Sequence, residues 1–70
     1  MTTVVLKRNT ANHYITMSLE LRTYGAVYVV AVCPMIGEHL CGHPIREMVY
    51  SINEEEKAVA TFNRYCRKYD

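Results

Sequence analysis

Ala26-Val27-Tyr28-Val29-Val30-Ala31-Val32-Cys33 is the stretch on which the fold turns. It is an unbroken apolar run rich in β-branched residues, the signature of a strand covered on both faces. Tyr28, Val30 and Val32 fall on one face, and Val27, Val29, Ala31 and Cys33 on the other. Both sets are too apolar to be left to water, so one face takes a helix and the other calls for a second cover.

Immediately upstream, Ile15, Met17, Leu19 and Leu21 alternate with Thr16, Ser18, Glu20 and Arg22, the period of a strand over Tyr14–Arg22 with one buried face. Thr23-Tyr24-Gly25-Ala26 joins the two strands, and Gly25 supplies the positive φ of a tight antiparallel turn. A two-residue loop opposes Leu19 to Val30, whereas a three-residue loop opposes it to Val29 or Ala31. Nearer the amino terminus, Val4, Val5 and Leu6 predict a short edge strand ended by a turn over Lys7–Asn12, with His13 as a solvated loop residue.

Downstream, Pro34 cannot donate to a ladder and is expected to end the central strand, leaving Met35–Pro44 as an irregular connection. Ile45–Ile52 reads as a third principal strand, with Met48, Tyr50 and Ile52 on one side and Glu47 and Val49 on the other. A helix closes the chain. Its start is marked by two overlapping capping-box pairs, Ser51 with Glu54 and Asn53 with Glu56. Glu54, Glu55 and Glu56 suit the positive end of the helix dipole, and Arg64, Arg67 and Lys68 the negative end. Ala58, Val59, Phe62, Tyr65, Cys66 and Tyr69 form the apolar stripe, opposite Lys57, Thr61, Arg64 and Lys68.

These elements predict one small α+β domain over residues 1–70. Its architecture is an antiparallel meander sheet of three or four strands with one carboxy-terminal helix packed on one face. Seventy residues bury a small core, so a second copy or a partner would add needed stability. The net charge of +1 gives no global field for nucleic acid or an anionic membrane. Ala26–Ile36 is interrupted by Pro34 and falls short of the ~20 residues a membrane-spanning helix requires. Three cysteines cannot all pair within one chain, and the first residues lack the order of a secretory signal; both point to a reducing, cytoplasmic setting.

Cys33, His39, Cys41 and His43 bring two thiols and two imidazoles together in sequence, the ligand types and number of a tetrahedral zinc site. Their order, Cys-x5-His-x-Cys-x-His, is not the paired knuckle of zinc modules, and the plainer expectation is no stoichiometric metal. A cysteine nucleophile with a histidine base is conceivable among them, but no orienting group or oxyanion site accompanies it. Arg64, Arg67 and Lys68 with Tyr65 and Tyr69 offer a basic, aromatic surface for nucleic acid, although a solvated helix end over core tyrosines is simpler. No phosphate-cradling glycine motif occurs, and no cofactor is implied.

Val-Cys-Pro-Met-Ile-Gly at 32–37 and Ser-Ile-Asn-Glu-Glu-Glu-Lys-Ala at 51–58, in this order of elements, resemble HicB-type antitoxin domains. Those domains place Pro-x-x-Gly after the second strand and an acidic, alanine-containing start on the helix. The resemblance covers about half the chain and breaks at Gly37–Pro44; it implies an antitoxin-like or nucleic-acid-binding regulator.

The reading that follows from the residues is a non-catalytic protein-interaction module, regulatory or inhibitory, working through a protein partner or a homodimer. Its expected interface is whichever set, Val27, Val29 and Ala31 or Tyr28, Val30 and Val32, the helix leaves open. A metal-binding module is the main alternative.

Overall fold

The valine-rich run forms the middle of β3, Gly25–Ile36, the strand against which all others are placed. The computed structural model describes residues 2–36, 39–40 and 43–69, with the side chains of Ile36, His39 and Leu40 outside the description. The remaining elements are β1 (Thr2–Asn9), β2 (His13–Arg22), β4 (His39–Leu40), β5 (Arg46–Ser51), a 3-10 turn (Ile52–Glu54) and α1 (Glu55–Lys68). The principal strands run β1-β2-β3-β5 as an antiparallel meander, and β4 adds two residues beside the end of β3. This is the expected α+β meander with a single carboxy-terminal helix.

The β2–β3 loop has two residues, the shorter of the two expected lengths, but it sits one residue earlier in the chain than the Leu19–Val30 pairing requires. Arg22 pairs with Gly25 across Thr23 and Tyr24, so Leu19 faces Tyr28 rather than Val29, Val30 or Ala31. Gly25 has φ +131° as the first strand residue, a conformation that strains any residue with a Cβ. The shift from the Leu19–Val30 pairing is two residues, an even number, so the division of side chains between faces is unchanged.

Pro34 does not end β3. Backbone groups of successive strand residues point alternately to the two neighbours, and the Val32 carbonyl accepts from the Ile45 N–H at 2.8 Å. Pro34 shares Val32's direction, so its missing donor falls between β5, whose first residue Arg46 pairs with Val32, and β4, whose last residue Leu40 pairs with Met35. Met35 points the other way and donates to the Asn12 carbonyl at 2.9 Å. The strand therefore passes through the proline without losing a ladder bond, and Met35 and Ile36 belong to β3 rather than to a loop.

The edge strand is also longer than expected: Lys7, Arg8 and Asn9 stay in β1, and the turn is confined to Thr10–Asn12. Thr10 fixes that turn, its backbone N–H donating to the His13 carbonyl at 2.8 Å and its hydroxyl accepting from the His13 N–H at 3.0 Å. Histidine 13 thereby opens β2 instead of standing in a loop.

The Ser51–Glu54 pair marks the start of the 3-10 turn that leads into α1, the Ser51 N–H donating to the Glu54 carboxylate at 3.1 Å. The helix packs over β2, β3 and β5. Ile15, Met17, Tyr28, Val30 and Val32 from the sheet meet Ala58, Phe62, Tyr65 and Cys66 in one core. Ile15, Met17, Val30 and Val32 are wholly buried, each contributing roughly 1.5–3 kcal/mol. Thr61, expected on the solvent side, is buried because its hydroxyl shares a 2.6 Å hydrogen bond with the Tyr50 hydroxyl of β5.

Candidate interaction site

The helix decides between the two faces of β3. It covers Tyr28, Val30 and Val32, which removes that set as a surface for any partner. Val27, Val29 and Ala31 lie on the open face, where the registers flank them with Glu20 and Ser51, Ser18 and Val49, and Thr16 and Glu47. Although no described element forms a second layer there, Val27 and Val29 are only 5% and 4% exposed. Cross-strand neighbours on both sides shield a central valine without further cover. The expectation that this face demands a second layer therefore loses its strongest residues.

Apolar exposure is found instead at the margins of the sheet. Every residue of β1 is exposed, including Val4, Val5 and Leu6, and at the opposite margin so are Ile45, Met48, Val49 and Ile52. β1 is the more available of the two margins for pairing, because it presents eight residues of strand where β5 presents six.

The free edge of β1 has a definite pattern. β2 residues of even number pair with β3 residues whose backbone groups point to β2, so Ile15, Met17 and Leu19 point to β1. Their partners Arg8, Leu6 and Thr3 point back into the sheet. Thr2, Val4, Lys7 and Asn9 consequently direct their N–H and C=O outward. The register skips Val5, which makes a β-bulge between Val4 and Leu6. Nothing in the sequence signals that bulge, since Val4-Val5-Leu6 is a uniform apolar run.

Of the four candidate metal ligands, Cys41 and the His39 side chain lie outside the described residues. Cys33 is half-buried on the open face of β3, and His43 is exposed. Among the described residues no group of three or more potential ligands comes together. Burial, and secondarily the charge of Glu47, pushes the Cys33 thiol above its ordinary range, away from the thiolate a nucleophile or a ligand requires. His13 lies across the sheet from it, its ring 5.0 Å from that of Tyr69 on the helix side. Cys66 is a buried core residue.

The basic end of the helix is built over tyrosines that belong to the core. Tyr65 is 7% exposed and Tyr69 half-buried, their rings 6.0 Å apart edge to face. Arg46 donates to the Tyr69 hydroxyl at 3.3 Å, while Lys68 and Arg64 lie 5.6 and 5.7 Å from the Tyr69 and Tyr65 ring centres. The cations therefore sit on rings already engaged, and Tyr65 has no free face on which a base could stack. At the other end of the helix, a hollow is lined by Ile52–Lys57 alone and gathers no group from a second element.

Among the described residues, no helix is long and apolar enough to cross a membrane. No protein family model, curated protein or solved structure matches this chain.

Proposed function

We propose that this chain is a small non-catalytic protein-interaction module, regulatory or inhibitory in role, that binds another extended chain along the free edge of β1. The observation that carries the reading is the edge itself, an eight-residue strand exposed throughout, with its outward backbone groups at Thr2, Val4, Lys7 and Asn9. Such an edge recruits a strand through main-chain hydrogen bonds, and apolar neighbours such as Val4 and Val5 add burial.

Val4→Pro tests the reading, because it removes an outward donor while leaving every β1–β2 hydrogen bond in place. Sedimentation of the wild type and display of random linear octapeptides against it measure pairing with itself and with other chains. Association in either assay, abolished by Val4→Pro in a protein that keeps its melting temperature within a few degrees, is the expected result. A strict monomer at about 1 mM that also selects no peptide at β1 overturns the reading. Association that survives Val4→Pro and is lost in Val29→Lys overturns the edge and moves the interface to the open face.

A further inference from the structure

The irregularity of the β1 edge specifies its occupant. Outward backbone groups in a regular strand recur every second residue. In β1 they fall at Thr2, Val4, Lys7 and Asn9, at intervals of two, three and two residues, because the pairing with β2 steps past Val5 between Val4 and Leu6. A regular partner strand matches one half of this edge and then loses register. The pattern is the same read from either end, so an antiparallel second copy meets it in full.

We infer that β1 pairs antiparallel with β1 of a second copy, Thr2 opposite Asn9 and Val4 opposite Lys7, across a two-fold axis between Val5 and Leu6. The inference rests on the edge-pairing reading above and names its partner. Charge points the same way: the cations of β1 are Lys7 and Arg8, and in this register they face Val4 and Thr3 of the other copy, never each other. Sliding the copies until Lys7 faces Lys7 opposes like charges and breaks the bulge match together. The exposed Val4, Val5 and Leu6 of both chains then meet at the centre.

The dimer is one continuous sheet, β5-β3-β2-β1-β1-β2-β3-β5. Its two-fold axis is perpendicular to the sheet, so both helices lie on the same side. The bulge and Lys7, which ordinarily guard an edge against indiscriminate pairing, here admit a copy of themselves and reject regular strands.

Amide hydrogen exchange of the wild-type chain between dilute and about 1 mM solution tests this directly. The Val4, Lys7 and Asn9 amides are expected to gain about tenfold or more in protection together as the dimer forms. A Val4→Cys, Lys7→Cys chain should oxidise to a covalent dimer linked between positions 4 and 7, read by peptide mass mapping. Val4→Cys alone should not link to itself, because the two positions 4 lie about 11 Å apart, beyond disulfide reach. A dimer protected elsewhere, or one in which positions 4 and 7 do not link although the doubly substituted chain is folded, overturns the inference while leaving the module reading standing. A chain that stays monomeric at about 1 mM also overturns it, and peptide display then decides the wider reading alone. If the double variant fails to fold, the exchange pattern of the wild type decides.

Discussion

β1 and β3 are both valine-bearing strands of one sheet, yet β3 holds the molecule together and β1 is exposed along its whole length. The difference lies in neighbours rather than in hydrophobicity. β3 has a strand on each side, so even its open-face valines, Val27 and Val29, are shielded by cross-strand side chains. β1 has a strand on one side, and the helix packs over β2, β3 and β5 instead. A central position buries both faces of a strand; an edge position with the same residues buries neither. Apolar side chains in β1 are thus left exposed, whereas those of β3 are already packed.

The comparison breaks most sharply at two adjacent residues of β3. Val30→Lys places an ammonium under the helix, where the native side chain has no exposure, and should cost more than the ~5 kcal/mol that a domain of this size has to lose. Val29→Lys faces the open side, where the long stem can carry its charge to water, and should cost about 1–2 kcal/mol and leave a folded protein. Circular dichroism melts of the pair check this. Equal unfolding of both would mean that the open face is sealed as tightly as the helix side.

Phe62→Ala comes next, with an expected loss of about 3–5 kcal/mol from the core that the helix forms with β2 and β3. Val5→Ala in β1, by contrast, should leave a dilute sample within about 0.5 kcal/mol of wild type. An unchanged melting temperature for Phe62→Ala would sink the helix-on-sheet packing.

Thr61→Val is a smaller test of the same interface. It removes the partner of the Tyr50 hydroxyl and should cost about 1 kcal/mol, with Tyr50→Phe similar and the double variant less than their sum. Additive losses in urea denaturation would show that the two hydroxyls act independently.

The smallest effect is electrostatic. The Ser51 N–H, and after it the Lys57 ammonium, lower the Glu54 carboxyl below its ordinary value. A lowered folded-state pKa gives stability that is present above the unfolded pKa of about 4.3 and lost as pH falls through the folded value. Acid titration of the melting temperature should show a slight extra fall in wild type below the ordinary glutamate range, absent in Glu54→Gln. Identical acid limbs would remove Glu54 from the helix start.

Much of the fold was legible because its signals are local. Alternation marked β2, the valine run marked β3, and Ser51 with Glu54 marked the start of the helical segment. Legibility failed where a residue's partner lay elsewhere in the chain. Pro34 reads as a breaker until the ends of β4 and β5 show that its missing donor falls between them. Thr61 reads as solvent-facing until Tyr50 is placed across from it. His13 reads as a loop residue until Thr10 and Tyr69 hold it at the head of β2. Of the candidate site, the sequence named the exposed strand Val4–Leu6 only as a minor edge and placed the interface on β3.

The sequence alone determined the meander of strands followed by one helix, since periodicity, turn residues and caps each act over a few neighbouring positions. It also determined that β3 would lie at the centre, because no other stretch is apolar enough to be enclosed on both faces. Only the tertiary structure decided which face of β3 the helix takes, since both sets are apolar and a local pattern does not rank them. It likewise decided the bulge at Val5 and with it the spacing of the free edge, because the register of β1 is a relation to β2 that no property of Val4-Val5-Leu6 contains.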